Sequence, residues 1–238
     1  MDSLAQELID EIINHIPRED MPASSLVARR WKRRSQQRNF EFVLFESKDL
    51  TPWEINIPQD PKGIPSYVHH VRFENFPSYV EPGHLSRVLK NFTSMISLTI
   101  DTHLPPPAEL AVPVSLGEFG KGITCLTLFY VQDSFAAITS LIFSLPELKE
   151  LIISNVDFQL DQPPRVVPDT PQRAPLDLFM VHGVEHESYI FLAQWNLASR
   201  GLSLDLSDEG MRLLVKISSE AMVALTLTGM QLLRAFGK

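Results

Sequence analysis

A hydrophobic phrase that returns six times after residue 65 constrains the fold of this chain more than any other feature. The phrase has the form apolar-x-x-apolar-x-apolar, and its six copies begin at Val68, Met95, Ile123, Leu148, Pro175 and Gly201. Their central residues are 71, 98, 126, 151, 178 and 204, which gives steps of 27, 28, 25, 27 and 26 residues. A near-constant step in the mid-twenties is typical of a solenoid, whose repeats stack and share one continuous core.

The segments between the phrases have the apolar spacing of helices. Residues 84–92 have this spacing, and so do residues 134–143, 187–195 and 208–217. Parallel strands need crossover connections, which these helices would supply. The alternation predicts an α/β fold of the leucine-rich-repeat kind, a curved parallel sheet with the helices outside it. Residues 222–227 repeat the phrase once more, so we expect about six to seven repeats, and the sequence leaves open whether the C-terminus is complete.

In each phrase, the residue between the last two apolar positions is predicted to face away from the core. Successive side chains of a strand point to opposite sides of the sheet, so these residues would line the concave face. Together with one flanking aromatic, they are Arg72, Thr99, Thr127, Phe129, Ile152, Phe179 and Asp205. Exposed aromatic side chains are typical binding anchors, so we expect this face to bind a protein substrate. The alternative is that the proline-rich segments 104–116 and 159–175 fold over these residues and cover them.

The first 46 residues have a different pattern, which predicts a small helical domain. Residues 3–16 place apolar groups on one helix face, Pro17 ends the helix, and a second helix is predicted from about residue 24 to 37. Residues 40–45 predict a short strand; a linker at 47–66 and the repeats at 67–238 follow. Short helices cannot bury all these apolar groups among themselves, so we expect some of them to meet a partner or the first repeat. Alternatively, the helices are only the N-terminal cap of the repeats.

Two N-terminal segments carry a resemblance to a known family. Residues 4–17 read Leu-Ala-x-Glu-Leu-x-x-Glu-Ile-Ile-x-x-Ile-Pro, and residues 25–31 read Ser-Leu-Val-x-Arg-x-Trp. Together they resemble the F-box, a small helical domain that docks on the Skp-type adaptor of cullin–RING ubiquitin ligases, although Ala5 stands where the family usually has proline. An F-box followed by leucine-rich repeats resembles the substrate receptors of these ligases, and most of all the large fungal set.

The resemblance implies a set of adaptor contacts and three partners. The implied adaptor-binding residues are Leu4, Ala5, Leu8, Ile12, Ile16, Pro17, Leu26, Val27 and Trp31. The sequence does not separate those that touch the adaptor from those that pack in the domain's own core. The implied partners are a Skp-type adaptor, a cullin bound through it, and an unknown protein substrate held by the repeats.

Charge is distributed unevenly along the chain. The net charge is −8, but residues 29–38 contain six basic groups and no acidic one, which leaves −14 for the rest. The acidic remainder argues against nucleic-acid binding by the body of the protein. The basic run is interpreted as a solvated helix face, a nuclear localisation signal or a docking surface for an acidic partner, and its local context favours the last.

No motif in the sequence indicates catalysis or a membrane span. There is no Gly-x-Ser-x-Gly, no phosphate-binding glycine-rich loop and no His-Glu-x-x-His. We therefore expect a non-enzymatic protein without cofactors or bound metal, although His182 and His186 have helical ligand spacing. A single cysteine, Cys125, and the absence of any run of 18 apolar residues favour a cytoplasmic or nuclear protein that does not enter membranes.

The sequence thus supports one functional hypothesis and one alternative. The hypothesis is a substrate-recognition subunit of an SCF-type cullin–RING ubiquitin ligase, with the F-box on the adaptor and the repeats on a substrate. The alternative is a repeat scaffold or recognition protein outside any ligase, whose N-terminal helices only cap the array. The identity of the substrate, and whether it must be modified, stay open.

Overall fold

Three helices open the part of the chain that the structure describes. In the computed structural model this part comprises residues 5–46, 63–74, 84–101, 117–159, 174–184, 192, 197, 199–205 and 224–228. The helices are α1 (Gln6–His15), α2 (Met21–Ser24) and α3 (Arg29–Phe40), and a 3-10 turn at Arg18–Asp20 precedes α2. Pro17 ends α1 as predicted, because the residue before a proline is driven out of the helical conformation and Ile16 is extended.

The predicted second helix at residues 24–37 is wrong at its N-terminal end. Residues 21–24 form the separate helix α2, and Ala28 is fully extended with φ −157° and ψ 156°, so α3 begins only at Arg29. A buried hydrogen bond of 2.9 Å from the Ser24 hydroxyl to the Ser35 hydroxyl joins α2 to α3. The chain therefore turns at residues 25–28, and those residues are not part of a helix face.

Within the described residues, ten strands and two further helices follow. The helices are α4 (His84–Leu89) and α5 (Phe135–Phe143). The strands are β1 (Phe42–Glu46), β2 (His70–Glu74), β3 (Ser97–Asp101), β4 (Cys125–Phe129), β5 (Gln132–Ser134), β6 (Glu150–Ser154), β7 (Asp157–Gln159), β8 (Leu178–His182), β9 (Gly201–Asp205) and β10 (Ala224–Thr228). Eight strands form one parallel sheet in the order β1-β2-β3-β4-β6-β8-β9-β10, and β5 pairs with β7 in a second. The predicted α/β fold with a parallel sheet is confirmed.

Strand β1 belongs to this sheet although the sequence assigns it to the N-terminal segment. All five of its residues pair in register with β2, from Phe42 opposite His70 to Glu46 opposite Glu74. The predicted boundary at residue 46 therefore falls after the first strand of the sheet. Several predicted segments lie outside the described residues: linker residues 47–62, proline-rich residues 104–116 and 160–173, and, apart from Leu192, the helices at 187–195 and 208–217.

One backbone arrangement recurs where each new strand enters the sheet. A single carbonyl accepts hydrogen bonds of 2.7–3.1 Å from two consecutive N–H groups of the next strand. The donors are the residue just before that strand and the strand's first residue. The accepting carbonyls belong to Glu41, His69, Ile96, Thr124 and Lys149. Because five successive strands are entered with the same geometry, their registers agree even though the connections between them differ in length. At β9 the arrangement changes, and the Arg200 N–H bonds to the Leu176 carbonyl instead.

The register places two rows of side chains in the core. The first row contains residues 43, 71, 98, 126, 151, 179 and 202, in steps of 28, 27, 28, 25, 28 and 23 residues. The second row lies two residues further along each strand and includes Phe45, Phe73 and Ile100, all buried. The repeat length thus shortens after β8, where the sequence pattern alone predicts a step of 26.

The predicted orientation of Phe179 is wrong. Phe179 is fully buried and pairs with Leu151 in the first core row, whereas Met180 takes the outward position opposite Ile152. Residues 178–181 are all apolar, so alternation of polar and apolar residues does not indicate which pair faces inward. Burying Phe179 with Val181 removes an aromatic ring from water, which favours this arrangement.

Asp205 is also displaced from its predicted position. Ser203, not Asp205, lies opposite Met180, and Asp205 comes two residues later at the end of β9. The predicted central residue of this copy was Leu204, but Leu202 occupies the first core row. The shorter step before β9 explains the error, because a constant step of about 26 residues overshoots a strand that begins earlier.

A left-handed residue follows each of three consecutive strands of the large sheet. Tyr130, Asn155 and Gly183 come directly after β4, β6 and β8 and have φ of 52°, 52° and 58°. Each precedes a valine that packs in or against the core: Val131, Val156 and Val184. The turn therefore directs the valine side chain toward the core. In the first two cases the valine is followed directly by β5 or β7. Sequence reasoning missed this corner.

Three phenylalanine rings pack together at the start of the sheet: one from β1, one from β2 and one from the segment between α4 and β3. The rings of Phe45 and Phe73 stack with centroids 5.2 Å apart, and Phe92 tilts against Phe45 at 6.0 Å. All three side chains are essentially inaccessible to water. Offset aromatic pairs add to the stabilisation that their burial already supplies, so this cluster anchors β1 and β2 to the core.

Replacing Phe73 with alanine should lower the free energy of unfolding by about 3–5 kcal/mol, because the change removes a stacked ring and leaves a cavity. Urea unfolding followed by circular dichroism measures the loss. Phe42→Ala is the matched control: its side chain is 36% exposed, so the same substitution should cost about 1 kcal/mol or less. Equal losses in the two variants would contradict the placement of Phe73 in the core.

Gly183→Ala should destabilise the protein by about 1–3 kcal/mol, because φ is positive there and a Cβ would collide with the Asn155 side-chain oxygen. The Asn155→Gly background removes the collision but leaves the unfavourable φ. The cost of Gly183→Ala should therefore be smaller in that background, as a double-mutant cycle of unfolding free energies would measure. A cost that is the same in both backgrounds would exclude the contact with Asn155.

Candidate protein-binding surfaces

The N-terminal helices have a small core of their own. Ile9, Ile13 and Met21 are buried together, and Ile16 and Trp31 pack against them. Two arginines of α3 add polar bonds to α1, since Arg34 donates to the Asn14 side chain at 2.9 Å and Arg38 donates to a carbonyl of α1. The two long helices are therefore held together by burial and by hydrogen bonds between them.

Four apolar side chains of this helical segment remain exposed. Leu8 and Ile12 are 53% and 42% exposed, and Leu26 and Val27 are 85% and 65% exposed. Leu8 and Ile12 are four residues apart on α1, so they lie on one helix face. Single exposed apolar residues are common on protein surfaces, but a segment of two dozen residues with four of them indicates a contact surface.

The predicted adaptor-binding residues thus divide into two groups. Leu8, Ile12, Leu26 and Val27 are exposed apolar side chains, and Ala5 and Pro17 are exposed beside them in sequence. Ile16 and Trp31 are half-buried and belong to the core of the helical segment. Leu4 lies outside the described residues. The structure therefore separates interface candidates from core residues, which the sequence did not.

The cations of α3 are divided in the same way. Arg34 and Arg38 face α1, as their hydrogen bonds require. Arg29, Arg30, Lys32 and Arg33 are exposed, and within the described part of the chain none of their four side chains makes a hydrogen bond or an ion pair. Helical geometry places these four within less than half of the circumference, on the side opposite Arg38.

The second surface is the solvent face of the large sheet, defined here by the side chains that point away from its core. Its central row contains Leu44, Arg72, Thr99, Thr127, Ile152, Met180 and Ser203. The predicted alignment of Arg72, Thr99, Thr127 and Ile152 is confirmed. Thr127 is only 7% exposed, so its neighbours restrict access to it. Met180 was missed, for the reason that misplaced Phe179.

Charged residues occupy the β2–β3 end of this face. One terminal nitrogen of Arg72, Nη2, lies 2.8 Å from a carboxylate oxygen of Glu74 and 2.8 Å from one of Asp101. The Asp101 side chain is 3% exposed, whereas Arg72 is 36% exposed. Partial exposure screens such pairs, so we expect a modest contribution to stability. Arg72 is occupied by these two carboxylates, which leaves less of its charge for a substrate than the sequence suggested.

Apolar side chains from β4, β6 and β8 lie together on the solvent face. Phe129, Ile152, Leu178 and Met180 are half-buried there, and Tyr130 at the strand end is 46% exposed. Beyond them, the Ser203 hydroxyl and the His182 ring nitrogen Nε2 are 3.4 Å apart, a long hydrogen bond. Aromatic and methionine side chains with partial exposure are suited to contact another protein. This part of the solvent face is therefore the better candidate for substrate contact on the sheet.

No cluster of three histidine, cysteine, aspartate or glutamate side chains among the described residues could hold a metal ion. The histidine pair considered from the sequence is not testable, since His186 lies outside the described residues. Among the helices that are described, none has both the length and the apolarity needed to cross a membrane.

Comparison with known proteins adds no relative for this chain. No protein-family model matches the sequence, and no curated protein matches it significantly.

Cys125 lies half-buried on β4, with Glu150 opposite it on β6. Burial raises the pKa of the Cys125 thiol, and the negative charge of Glu150 raises it further, while a hydrogen bond with Ser97 lowers it. A raised pKa leaves a smaller fraction of reactive thiolate at neutral pH. The geometry thus favours an unreactive thiol and gives no support to a nucleophile at this position.

Alkylation of Cys125 by iodoacetamide at pH 7.5 should be slower in the folded protein than in urea, because the raised pKa of the thiol leaves a smaller fraction of thiolate. Mass spectrometry follows the single cysteine directly. The rate should keep rising above the pH at which the unfolded thiol has levelled off. Glu150→Gln should accelerate the reaction at pH 7.5, with Lys149→Gln as control; a folded rate equal to the unfolded rate would refute the raised pKa.

Proposed function

We propose that this chain is a substrate-recognition subunit of an SCF-type cullin–RING ubiquitin ligase. The N-terminal helices act as an F-box that docks on a Skp-type adaptor, and the strands form a leucine-rich-repeat solenoid that holds a protein substrate. Its role is to bring the substrate near a ubiquitin-loaded enzyme, so the gain is in effective concentration and the chain itself makes no bond. Such a subunit acts in the cytoplasm or nucleus.

The observation that carries this proposal is the set of exposed apolar residues on a helical segment that already has its own core. Ile9, Ile13 and Met21 complete that core without Leu8, Ile12, Leu26 or Val27. All four exposed residues are ones that the F-box resemblance implies for adaptor binding. The resemblance and the exposure are independent, because the sequence alone did not distinguish interface from core.

The repeating strand entries support the second half of the proposal. Five strands enter through the same paired hydrogen bonds, and successive large-sheet strands are neighbours in space. Repeat proteins with this neighbour-only pairing use an extended sheet face to bind partners. The apolar region near Ile152 and Met180 is the substrate site that we favour, with the charged end near Arg72 as a flanking contact.

A specific set of contacts favours the alternative, a repeat scaffold with a helical cap. Phe40 of α3 packs against the main core, and the Glu41 carbonyl accepts the first pair of strand-entry hydrogen bonds. The Arg18 guanidinium also lies 5.4 Å from the centre of the Phe42 ring on β1. These contacts suit a cap that shields the first strand. They do not explain why Leu26 and Val27 stay exposed.

The double variant Leu8→Asp/Ile12→Asp should abolish co-purification with a Skp-type adaptor. Each change places a charge where an apolar anchor would be buried, and such anchors contribute about 2 kcal/mol or more each, so affinity should fall at least about a hundredfold. Biolayer interferometry measures the affinity. Because Leu8 and Ile12 are exposed, circular dichroism and the thermal midpoint should stay close to those of the wild type.

Asn14→Asp is the matched control. It adds a negative charge to α1 at an exposed position away from Leu8 and Ile12, and an aspartate can still accept the bond from Arg34. Adaptor binding should survive this change. A folded wild-type chain that does not bind the adaptor would remove the ligase proposal and leave the capped scaffold. Loss of binding in the Asn14→Asp control would mean that charge, not the apolar face, determines the interaction.

A further inference from the structure

We propose that the outward face of α3 is a docking surface for an acidic segment of a partner protein. The surface, called here the basic face, consists of Arg29, Arg30, Lys32 and Arg33. All four are exposed, and among the described residues their side chains have no hydrogen-bond or ion-pair partner. The inference does not require the partner to be a ligase adaptor.

The cations of α3 differ in whether their side chains contribute to the fold. Two of its cations have structural roles, since Arg34 and Arg38 donate to α1. The four side chains of the basic face are exposed and contribute no described contact to the fold. Cationic side chains that hold no part of the fold, gathered on one face, are available for a partner.

The like charges of the basic face repel one another, which destabilises the free protein. Arg29 and Arg33 are four residues apart, and Arg29–Lys32 and Arg30–Arg33 are three apart, so like charges are neighbours on the helix. These residues also occupy the first turns of α3, where the helix dipole is positive and disfavours cations. No acidic residue occurs between positions 29 and 38 to relieve the repulsion. An acidic partner would remove this repulsion on binding.

The surroundings of the basic face favour a protein over a nucleic acid or a membrane. Leu26 and Val27, the most exposed large apolar residues described, lie directly before it in the chain. Trp31, the aromatic that could stack on a base, is instead packed against the core of the helical segment. The rest of the chain carries a charge of −14, which repels phosphate backbones and anionic lipid surfaces. A partner with carboxylates beside an apolar recess fits all three observations.

The test compares two variants of the full chain with the same change in charge. One is Arg29→Gln/Arg30→Gln/Arg33→Gln, and the other is Lys90→Gln/Lys121→Gln/Lys149→Gln, three exposed lysines elsewhere. The probe is a fluorescent peptide of alternating glutamate and leucine, titrated by anisotropy at several salt concentrations. The arginine variant should bind at least about tenfold more weakly and with a shallower salt dependence, while the lysine variant should bind like the wild type.

Stability provides an independent readout of the same variants. If the basic face only served the fold, the arginine variant would unfold more easily; we expect its thermal midpoint to be unchanged or higher, because repulsion is removed. Single-stranded DNA and phosphatidylserine vesicles are measured in parallel. Tighter binding of either one, lost in the arginine variant, would overturn the proposal in favour of that partner. It would also be overturned by wild-type protein that does not bind the peptide, or by equal losses in the two variants.

Discussion

The paired hydrogen bonds at each strand entry are the constraint on which the rest of the sheet depends. One carbonyl accepting two successive N–H groups sets both the position and the direction of the incoming strand. Once this is repeated five times, every residue of a strand has a defined neighbour, and rows of side chains follow. The connections can then vary in length and composition without moving those rows. Changes in the connections can therefore alter the rim of the sheet surface, while the central rows of side chains keep one geometry.

Most strand positions were predictable from the sequence because a buried strand requires its apolar residues at fixed places. The six copies of the phrase, the short strand after α3 and the last copy near residue 225 all coincide with strands of the sheet. The prediction failed where the pattern carries no directional information. Residues 178–181 are uniformly apolar, and ring burial, not alternation, decides that Phe179 faces inward. The corners at Tyr130, Asn155 and Gly183 were missed because three unlike residues adopt the same backbone conformation.

The candidate binding residues were harder to assign than the strands, for a physical reason. In a short helical segment, interface and core use the same residue types at the same spacing. The sequence of α1 therefore shows one continuous apolar stripe. Only the position of its neighbours decides that Ile9 and Ile13 are buried against Met21 while Leu8 and Ile12 meet water. The cations of α3 pose the same problem: four of them look alike in sequence to the two that bond to α1. Which of these side chains can reach a partner therefore depends on how the helices pack, and the sequence pattern alone does not show that packing.

The helical segment and the sheet appear in one chain with opposite electrical character, and this has a consequence for recognition. The exposed cations are concentrated on α3, while the described solvent face of the sheet near Arg72 is dominated by carboxylates. At physiological salt, charges act over about 8 Å, so each surface acts mainly on the partner groups that come into contact with it. A protein that must hold two different proteins at once benefits from such a separation, because an acidic partner of α3 is disfavoured at the charged end of the sheet. The apolar residues beside each charged region, Leu26 and Val27 in one case and Ile152 and Met180 in the other, then supply affinity where the charges have set the choice.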